Sequence, residues 1–178
     1  MPAVRTLSKS SARKTAEPAT ASARPSTKGA QPDAIQLLKD DHRQVEAWFE
    51  QFENAKGDSR KAALAQKICL ALTVHAQIEE EIFYPAYLEA TGDDDMHDEA
   101  HVEHDGAKKL IAEIEAGSPG QDMWDAKVTV LSEMIKHHVK EEEQRDGMFA
   151  RAKKSGMDLQ EIGLLLAQRK KELMAAAR

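Results

Sequence analysis

The chain has 178 residues, a formal net charge of −6 and a single cysteine, and aromatic residues make up only 4 % of it. That length is enough for one domain with a hydrophobic core, and the abundance of Ala, Leu, Glu, Lys and Met favours helix over sheet. The lone Cys69 excludes an internal disulfide and fits a reducing compartment. The sequence has no run of about 18 apolar residues for a membrane span and no signal-peptide-like segment after Met1. We therefore expect an all-α cytoplasmic protein.

The first 32 residues differ in composition from the remainder. They hold six basic residues and one acid, so this tail carries +5 and leaves −11 on the rest of the chain. Rich in Ser, Thr, Ala and Pro, the tail cannot bury enough surface to offset its chain entropy, and we expect disorder over 1–32. It is a solubilising segment, a weak anchor for nucleic acid or anionic surfaces, or a segment of transit-peptide type. The acidic remainder argues against nucleic-acid binding by the folded domain.

Two amphipathic helices are predicted after the tail. The first begins at its N-cap Asp33 and runs to about Ala55, with an apolar stripe at helical spacing formed by Ile35, Leu38, His42, Val45, Phe49 and Phe52. The Lys-Gly-Asp-Ser sequence at 56–59 ends this helix and caps the next. The stripe of the second helix comprises Leu64, Ile68, Ala71, His75, Glu79 and Ile82. We expect Pro85 to bend or end that helix, because proline removes a helix hydrogen bond.

Three further helices follow. The third comes after the Thr-Gly-Asp-Asp-Asp turn at 91–95 and carries Ala100, His104, Ala107, Ile111 and Ile114. The fourth begins at Asp122 and carries Val128, Leu131, Ile135, His138, Glu142 and Phe149. Ser155 and Gly156 end it, and the fifth, from Asp158, carries Leu159, Ile162, Leu165, Leu166 and Leu173. Short loops favour antiparallel neighbours, which predicts an up-down-up-down four-helix bundle over 33–153 with the helix of 154–178 packed on an outer face.

The stripes contain unexpected polar residues. Four histidines lie on four different helices, and two of them have a glutamate one helical turn later: His42, His75 with Glu79, His104, and His138 with Glu142. Residues four apart share a helix face, so each pair can point at one centre. Imidazole and carboxylate together suit iron, manganese or zinc, and the absence of cysteine ligands argues against a structural zinc site. The pattern indicates a pair of ions in the bundle core.

Packing alone explains this pattern poorly. A single histidine on an apolar stripe is more often a core residue than a ligand, but two buried glutamates would need cationic partners, and the stripes offer no Lys or Arg. A metal-free scaffold is therefore the less favoured interpretation. His137 also has a glutamate four residues later, Glu141, but heptad counting favours His138. We expect a solvated acidic face to contain Glu80, Glu81, Glu141 and Glu143.

Four short motifs carry a family resemblance. They are the Asp-Asp-His-Arg-Gln-Val sequence around His42, His75-x-x-x-Glu79 followed by Phe-Tyr-Pro at 83–85, Glu103-His104, and the His-Val-Lys-Glu-Glu sequence from 138 to 142. In this order and spacing they resemble the hemerythrin-like HHE cation-binding domain over about residues 33–153. The resemblance implies an antiparallel four-helix bundle around two iron ions joined by an oxo or hydroxo bridge. The implied ligands are His42, His75, Glu79, His104, His138 and Glu142, with both carboxylates bridging.

One departure bears on function. Oxygen-carrying hemerythrins use five histidines, with a His-x-x-x-His pair on the third helix. Here His97 and His101 have that spacing, but His104 matches the family motif, so we expect neither to be a ligand. Two six-coordinate ions have roughly twelve positions, and four histidines, two bridging carboxylates and one bridging oxygen leave about two open.

Open positions favour a protein that binds or senses dioxygen, nitric oxide or peroxide. One alternative is an enzyme that consumes peroxide or nitric oxide at the same centre, with Tyr84 or Tyr87 supplying a hydroxyl next to the ligands. Another is an iron-storage or regulatory module whose tail or fifth helix contacts a partner.

Overall fold

The computed structural model describes residues 32–177, and the disorder predicted for the tail falls on residues outside this range. The described part is helical, without strands, as the sequence predicts. Its elements are α1 (Ala34–Glu53), α2 (Asp58–Ile78), a π-helical turn (Glu79–Phe83), α3 (Tyr84–Thr91), α4 (Asp94–Glu115), α5 (Trp124–Glu143), α6 (Met148–Ser155) and α7 (Leu159–Ala176). No helix within 32–177 is long and apolar enough to cross a membrane.

Four long arms form the predicted antiparallel bundle. The arms are α1, the run from α2 to α3, α4 and α5; α1 packs against α2 and α5, and α4 packs against the same two helices. Asp33 caps α1, because its carboxylate accepts a hydrogen bond of 2.8 Å from the backbone N–H of Gln36. Loops of a few residues join the arms, which keeps sequence neighbours antiparallel.

The bundle has two apolar clusters with a polar layer between them. One cluster contains Leu38 of α1 and Ala100 of α4 and is centred on the aromatic residues that follow the π turn. The other contains Val45 of α1 and Ala107 of α4 and is centred on Phe49, Phe52 and Trp124. His42 and His104 lie between these levels on their helices. The predicted single level of inward-facing histidines is therefore a real layer of the fold.

Pro85 is accommodated without ending the helical run. The α-helical hydrogen bonding of α2 stops at Ile78, and in the π turn the N–H of Tyr84 reaches back five residues to the carbonyl of Glu79. Pro85 then lies in the first turn of α3, where a missing N–H costs little. The π turn contains one residue more than an α-helical turn, so the residues that follow it are buried one position later in the sequence than α-helical spacing predicts. Phe83 and Tyr84 are therefore fully buried, while Ile82, predicted on the stripe, is only partly buried.

The structure divides the predicted fourth helix into two helices. The first, α5, ends at Glu143, and Phe149 belongs to the second, the short helix α6. The chain turns so tightly here that a Cβ at Gly147 would lie 2.1 Å from the carbonyl oxygen of Glu141, which only glycine permits. The fifth predicted helix, α7, packs against α1, α2 and the π turn. Its Leu166 is fully buried, but Leu165, which we expected on the same stripe, is 50 % exposed.

Candidate metal centre

Four buried imidazoles meet in two pairs at the polar layer. The Nε2 atoms of His42 and His75 are 3.0 Å apart, and those of His104 and His138 are 3.2 Å apart. One pair comes from α1 and α2, the other from α4 and α5. The bundle therefore brings together all four histidines that the sequence singles out.

Two fully buried carboxylates span these pairs. Glu79 Oε2 lies 3.2 Å from Nε2 of His75 and 3.4 Å from Nε2 of His104, so it touches one member of each pair. Glu142 Oε2 likewise lies 3.4 Å from Nε2 of His42 and 3.7 Å from Nε2 of His138. Each carboxylate therefore spans the two histidine pairs.

Two groups of potential metal donors emerge from this arrangement. The donor atoms within each group lie within 4.8 Å of one another, and Glu79 belongs to both: His42, His75, Glu79 and Glu142 in one, Glu79, His104 and His138 in the other. All six members are buried. Two neighbouring positions that share a carboxylate are what a pair of cations needs.

A ring of further carboxylates faces the other nitrogen of each imidazole. The Nδ1-to-oxygen pairs are His42 with Glu143 at 2.8 Å, His104 with Glu80 at 2.9 Å, His138 with Glu103 at 2.7 Å and His75 with Asp41 at 3.5 Å. An imidazole that donates its Nδ1 proton to a carboxylate has its Nε2 lone pair free for a metal ion. Three of these contacts are hydrogen bonds and therefore favour one tautomer and orientation of the imidazole, whereas the 3.5 Å contact of His75 with Asp41 is not a hydrogen bond.

The inner donors fit a metal better than they fit one another. With Nδ1 protonated, two Nε2 atoms 3.0 Å apart need a shared proton or a cation between them. Both oxygens of Glu79 and Oε2 of Glu142 also have no hydrogen-bond partner among the described residues. Buried acceptors left in this state are costly, and metal coordination satisfies them. The nitrogen and carboxylate set suits iron, manganese or zinc.

Proton uptake replaces the cations when they are absent. Burial raises the pKa of Glu142 well above its ordinary value, and the charge of Glu79 adds to this shift. Burial also acts on His104 and lowers its pKa, but the carboxylates Glu79 and Glu80 outweigh it and raise that pKa to about 9. His104 is therefore protonated in the metal-free site at neutral pH, and Glu142 keeps its proton to a higher pH than an ordinary glutamate. Metal binding releases those protons.

The comparison with protein families agrees with this geometry. The hemerythrin HHE cation binding domain matches residues 33–150. The chain belongs to this family. The resemblance carried by the four sequence motifs is thus confirmed. The family is one of cation-binding domains, and the described residues include His/Glu clusters that could hold a metal ion.

Two individual proteins are similar to this HHE domain. A DNA nickase of Nostoc sp. (strain PCC 7120 / SAG 25.82 / UTEX 2576) is 28 % identical over 107 residues, which are 60 % of this chain and 30 % of that protein. The chain therefore spans less than a third of that relative's length. A crystal structure of a hemerythrin HHE cation binding domain-containing protein, the Rv2633c homolog from Mycobacterium kansasii, superposes with a TM-score of 0.70. The two share 23 % identity over 82 % of this chain and 90 % of the other, which supports the bundle fold.

Sequence reasoning missed the outer carboxylates of the HHE domain. We expected Glu80 and Glu143 on a solvated face, but both are largely shielded and accept hydrogen bonds from inner histidines. The sequence did contain a signal for these carboxylates. Each outer carboxylate directly precedes or follows an inner donor in the sequence, and it faces an inner histidine of a different helix. The neighbouring residues are Asp41-His42, Glu79-Glu80, Glu103-His104 and Glu142-Glu143.

The remaining histidines lie outside the two donor groups. The rings of His97 and His101 pack on each other at 4.6 Å and against the ring of Tyr84, and neither belongs to the inner set. His137 points to the surface, with 61 % of its side chain exposed. The distinction drawn from the stripes between His138 and its neighbour His137 therefore matches their placement.

One tyrosine hydroxyl reaches the centre. Tyr84 Oη is 3.2 Å from His104 Nε2 and donates a hydrogen bond of 3.3 Å to Glu142 Oε1. Burial and the carboxylates Glu79 and Glu142 raise the pKa of Tyr84 well above its ordinary value, so the hydroxyl keeps its proton. Tyr87 instead bonds to Asp93, away from the inner donors.

A small cavity of about 20 Å³ lies beside the imidazoles. The four inner histidines, Asp41 and Lys108 contribute to its lining, and the other lining residues are apolar: Val45, Leu72, Ala76, Ala107, Ile111, Ile135 and Val139. Such a lining favours small uncharged molecules over hydrated ions.

Proposed function

We propose that this HHE domain holds two iron ions and uses them to bind or sense dioxygen, nitric oxide or peroxide. The observation that carries the proposal is the pairing of the imidazoles, His42 with His75 and His104 with His138, with one carboxylate spanning both pairs on each side. The four imidazoles together with Glu79 and Glu142 would hold the two ions.

The number of donors supports a centre with room for a ligand. The chain offers four imidazole nitrogens and four carboxylate oxygens, whereas two six-coordinate ions have roughly twelve positions. Iron bound there would supply reversible redox chemistry and positions for a small exogenous ligand. The chain's own contribution is to orient the imidazoles through their outer carboxylates and to line the approach with apolar side chains.

Metal analysis of the full chain, purified without added metal, tests this function. We expect about two irons per chain, with optical bands of a coupled di-iron centre that change when dioxygen, nitric oxide or peroxide is added. His75→Ala should lose iron, whereas His97→Ala should keep it. Stoichiometric zinc with no spectral response to any of the three ligands would refute the proposal.

Tyr84 favours a second candidate, consumption of peroxide or nitric oxide at the same centre. Its protonated hydroxyl touches both Glu142 and His104, where it can give a proton to a reacting small molecule. We expect iron-loaded protein to remove peroxide or nitric oxide, His138→Ala to lose this activity with its iron, and Tyr84→Phe to keep the iron but turn over at least about tenfold more slowly. Iron-loaded wild type without turnover would eliminate this candidate.

A further inference from the structure

A third group of metal donors lies on the surface between α4 and α5. His137 Nε2 is 3.3 Å from Glu103 Oε1 and 3.2 Å from Glu141 Oε1, and these atoms lie within 4.8 Å of one another. All three side chains are solvent-accessible, and His137 is the most exposed. One nitrogen and two oxygens from protein, with water completing the coordination, form an open site for a divalent transition cation.

Glu103 differs from the other three outer carboxylates in its neutralising partners. The others form ion pairs with basic side chains, which are Asp41 with Lys170, Glu80 with Lys108, and Glu143 with Lys39 and Arg43. Among residues 32–177, Glu103 has only His137 and His138 within ion-pair distance. Glu141 likewise has only His137, and Glu99 adds a further negative charge nearby. The acidic charge at this position therefore remains available to a cation.

A cavity connects this surface cluster with the core. It has a volume of about 60 Å³, and its lining includes Glu99, Glu103 and Glu141 of the surface and His138 and Glu142 of the inner donors. Glu142 is 2 % exposed, and its Oε2 has no hydrogen-bond partner within the described part of the chain. Glu142 therefore connects the acidic cavity, which it lines, with the inner histidines that its Oε2 faces, and this buried oxygen is a destination for a cation.

We propose that Glu103, His137 and Glu141 form an outer binding site for a divalent transition cation, which takes up Fe²⁺ from solution and passes it along the acidic cavity to Glu142. Binding at the outer site is independent of the proposed function, whereas transfer into the core rests on it. Glu103 connects the two sites, since one of its oxygens faces His137 and the other accepts the Nδ1 proton of His138. The apolar cavity beside the imidazoles remains the approach for the uncharged ligand.

Counting ions on the full chain tests the outer site. We would titrate metal-free protein with Zn²⁺ by calorimetry and compare wild type with His137→Ala and with the matched control His97→Ala. His137→Ala should bind one Zn²⁺ fewer per chain than wild type, and His97→Ala the same number as wild type. A core variant, His42→Ala with His104→Ala, should keep the outer ion, and it separates failure of this site from failure of the core. An unchanged count in His137→Ala overturns the proposal.

The rate of Fe²⁺ loading tests transfer. Anaerobic Fe²⁺ mixed with metal-free protein should fill the core at least about tenfold more slowly in His137→Ala than in wild type, because an acidic cleft raises local cation concentration and entry rates. The final core iron content should be unchanged, which a merely structural defect would not give. Equal loading rates in the two proteins overturn the transfer step. Wild type that takes up no core iron yet binds the outer Zn²⁺ refutes the proposed function and leaves the outer site standing.

Discussion

Each inner imidazole of this HHE domain is held by acids on both of its nitrogens. Its Nε2 faces a buried glutamate, and its Nδ1 faces an outer carboxylate that is itself next to an inner donor in the sequence. The alternation connects the four helices through contacts between charged and polar side chains. At the residue scale, the orientation of the inner imidazoles therefore depends on carboxylates outside the two inner donor groups.

Glu143→Gln tests the outer carboxylates. The amide accepts the Nδ1 proton of His42 more weakly than the carboxylate, so the imidazole loses basicity and orientation. We expect metal affinity to fall about 10–100-fold, measured by competition with a chromogenic chelator. Glu133→Gln, an exposed position on the same helix, should leave the affinity unchanged. Equal affinities for the two variants would contradict the role of the outer carboxylate.

Glu142→Gln tests the proton held by the metal-free site. The folded-state pKa of Glu142 lies above its unfolded value of 4.5, so its contribution to stability is complete below that value and is lost as pH rises toward the folded-state pKa. Glutamine is neutral throughout. We expect metal-free Glu142→Gln to gain stability relative to metal-free wild type by about 1.4 kcal/mol per pH unit within that window. Urea unfolding at several pH values measures this difference, and parallel pH profiles would contradict it.

At the scale of elements, two local irregularities shape the site. The π turn begins at Glu79 and lets the helical run continue through Pro85, which carries the Tyr84 hydroxyl to His104 and Glu142. The docking of α7 depends on a close backbone approach, because a Cβ at Gly163 would lie 2.7 Å from the backbone nitrogen of Ala34. The docking of α7 arises from a contact between elements, whereas the π turn arises from hydrogen bonding within residues 79–84, just before Pro85.

Gly163→Ala tests the docking of α7. The added methyl group meets the backbone at the start of α1, which cannot yield as a side chain can, so we expect a loss of about 1–3 kcal/mol in the free energy of unfolding. Gly106→Ala is the matched control. Its Cβ would meet the mobile end of Met134 at 2.9 Å, and the helix gains up to about 1 kcal/mol from alanine. Urea unfolding compares the two, and equal stabilities would show that α7 docks differently.

At the scale of the whole molecule, the metal centre joins the four arms of the bundle. The inner donors come from α1, α2, the π turn, α4 and α5, and they occupy the layer between the two apolar clusters. Without ions this layer keeps acceptors that have no partner, so the middle of the bundle is its least favourable part. Ions that bind only the folded state therefore stabilise the fold as a whole.

Removal of metal should lower the melting temperature. At free metal about 100–1,000 times its dissociation constant, binding adds about 3–4 kcal/mol, and each kcal/mol moves the melting temperature of a chain of this size by about 2–4 °C. We thus expect the melting temperature, measured by circular dichroism, to fall by about 10 °C after chelation. His75→Ala should melt at the same temperature with and without chelator. Equal melting of loaded and metal-free wild type would mean that the centre contributes nothing to stability.

The sequence by itself determined the all-α class, the bundle and its inner histidines, because helical periodicity and the chemistry of buried polar residues are local properties. It also distinguished His138 from His137, since 100° around a helix separates core from solvent. Only the tertiary structure decided which helices face one another. That choice pairs the imidazoles and gives each an outer carboxylate from a facing helix. It depends on contacts between residues far apart in the chain, and helical periodicity carries no information about such contacts. The π turn and the tight turn at Gly147 are local, spanning five or six residues, but they interrupt the 3.6-residue spacing from which the helices were predicted.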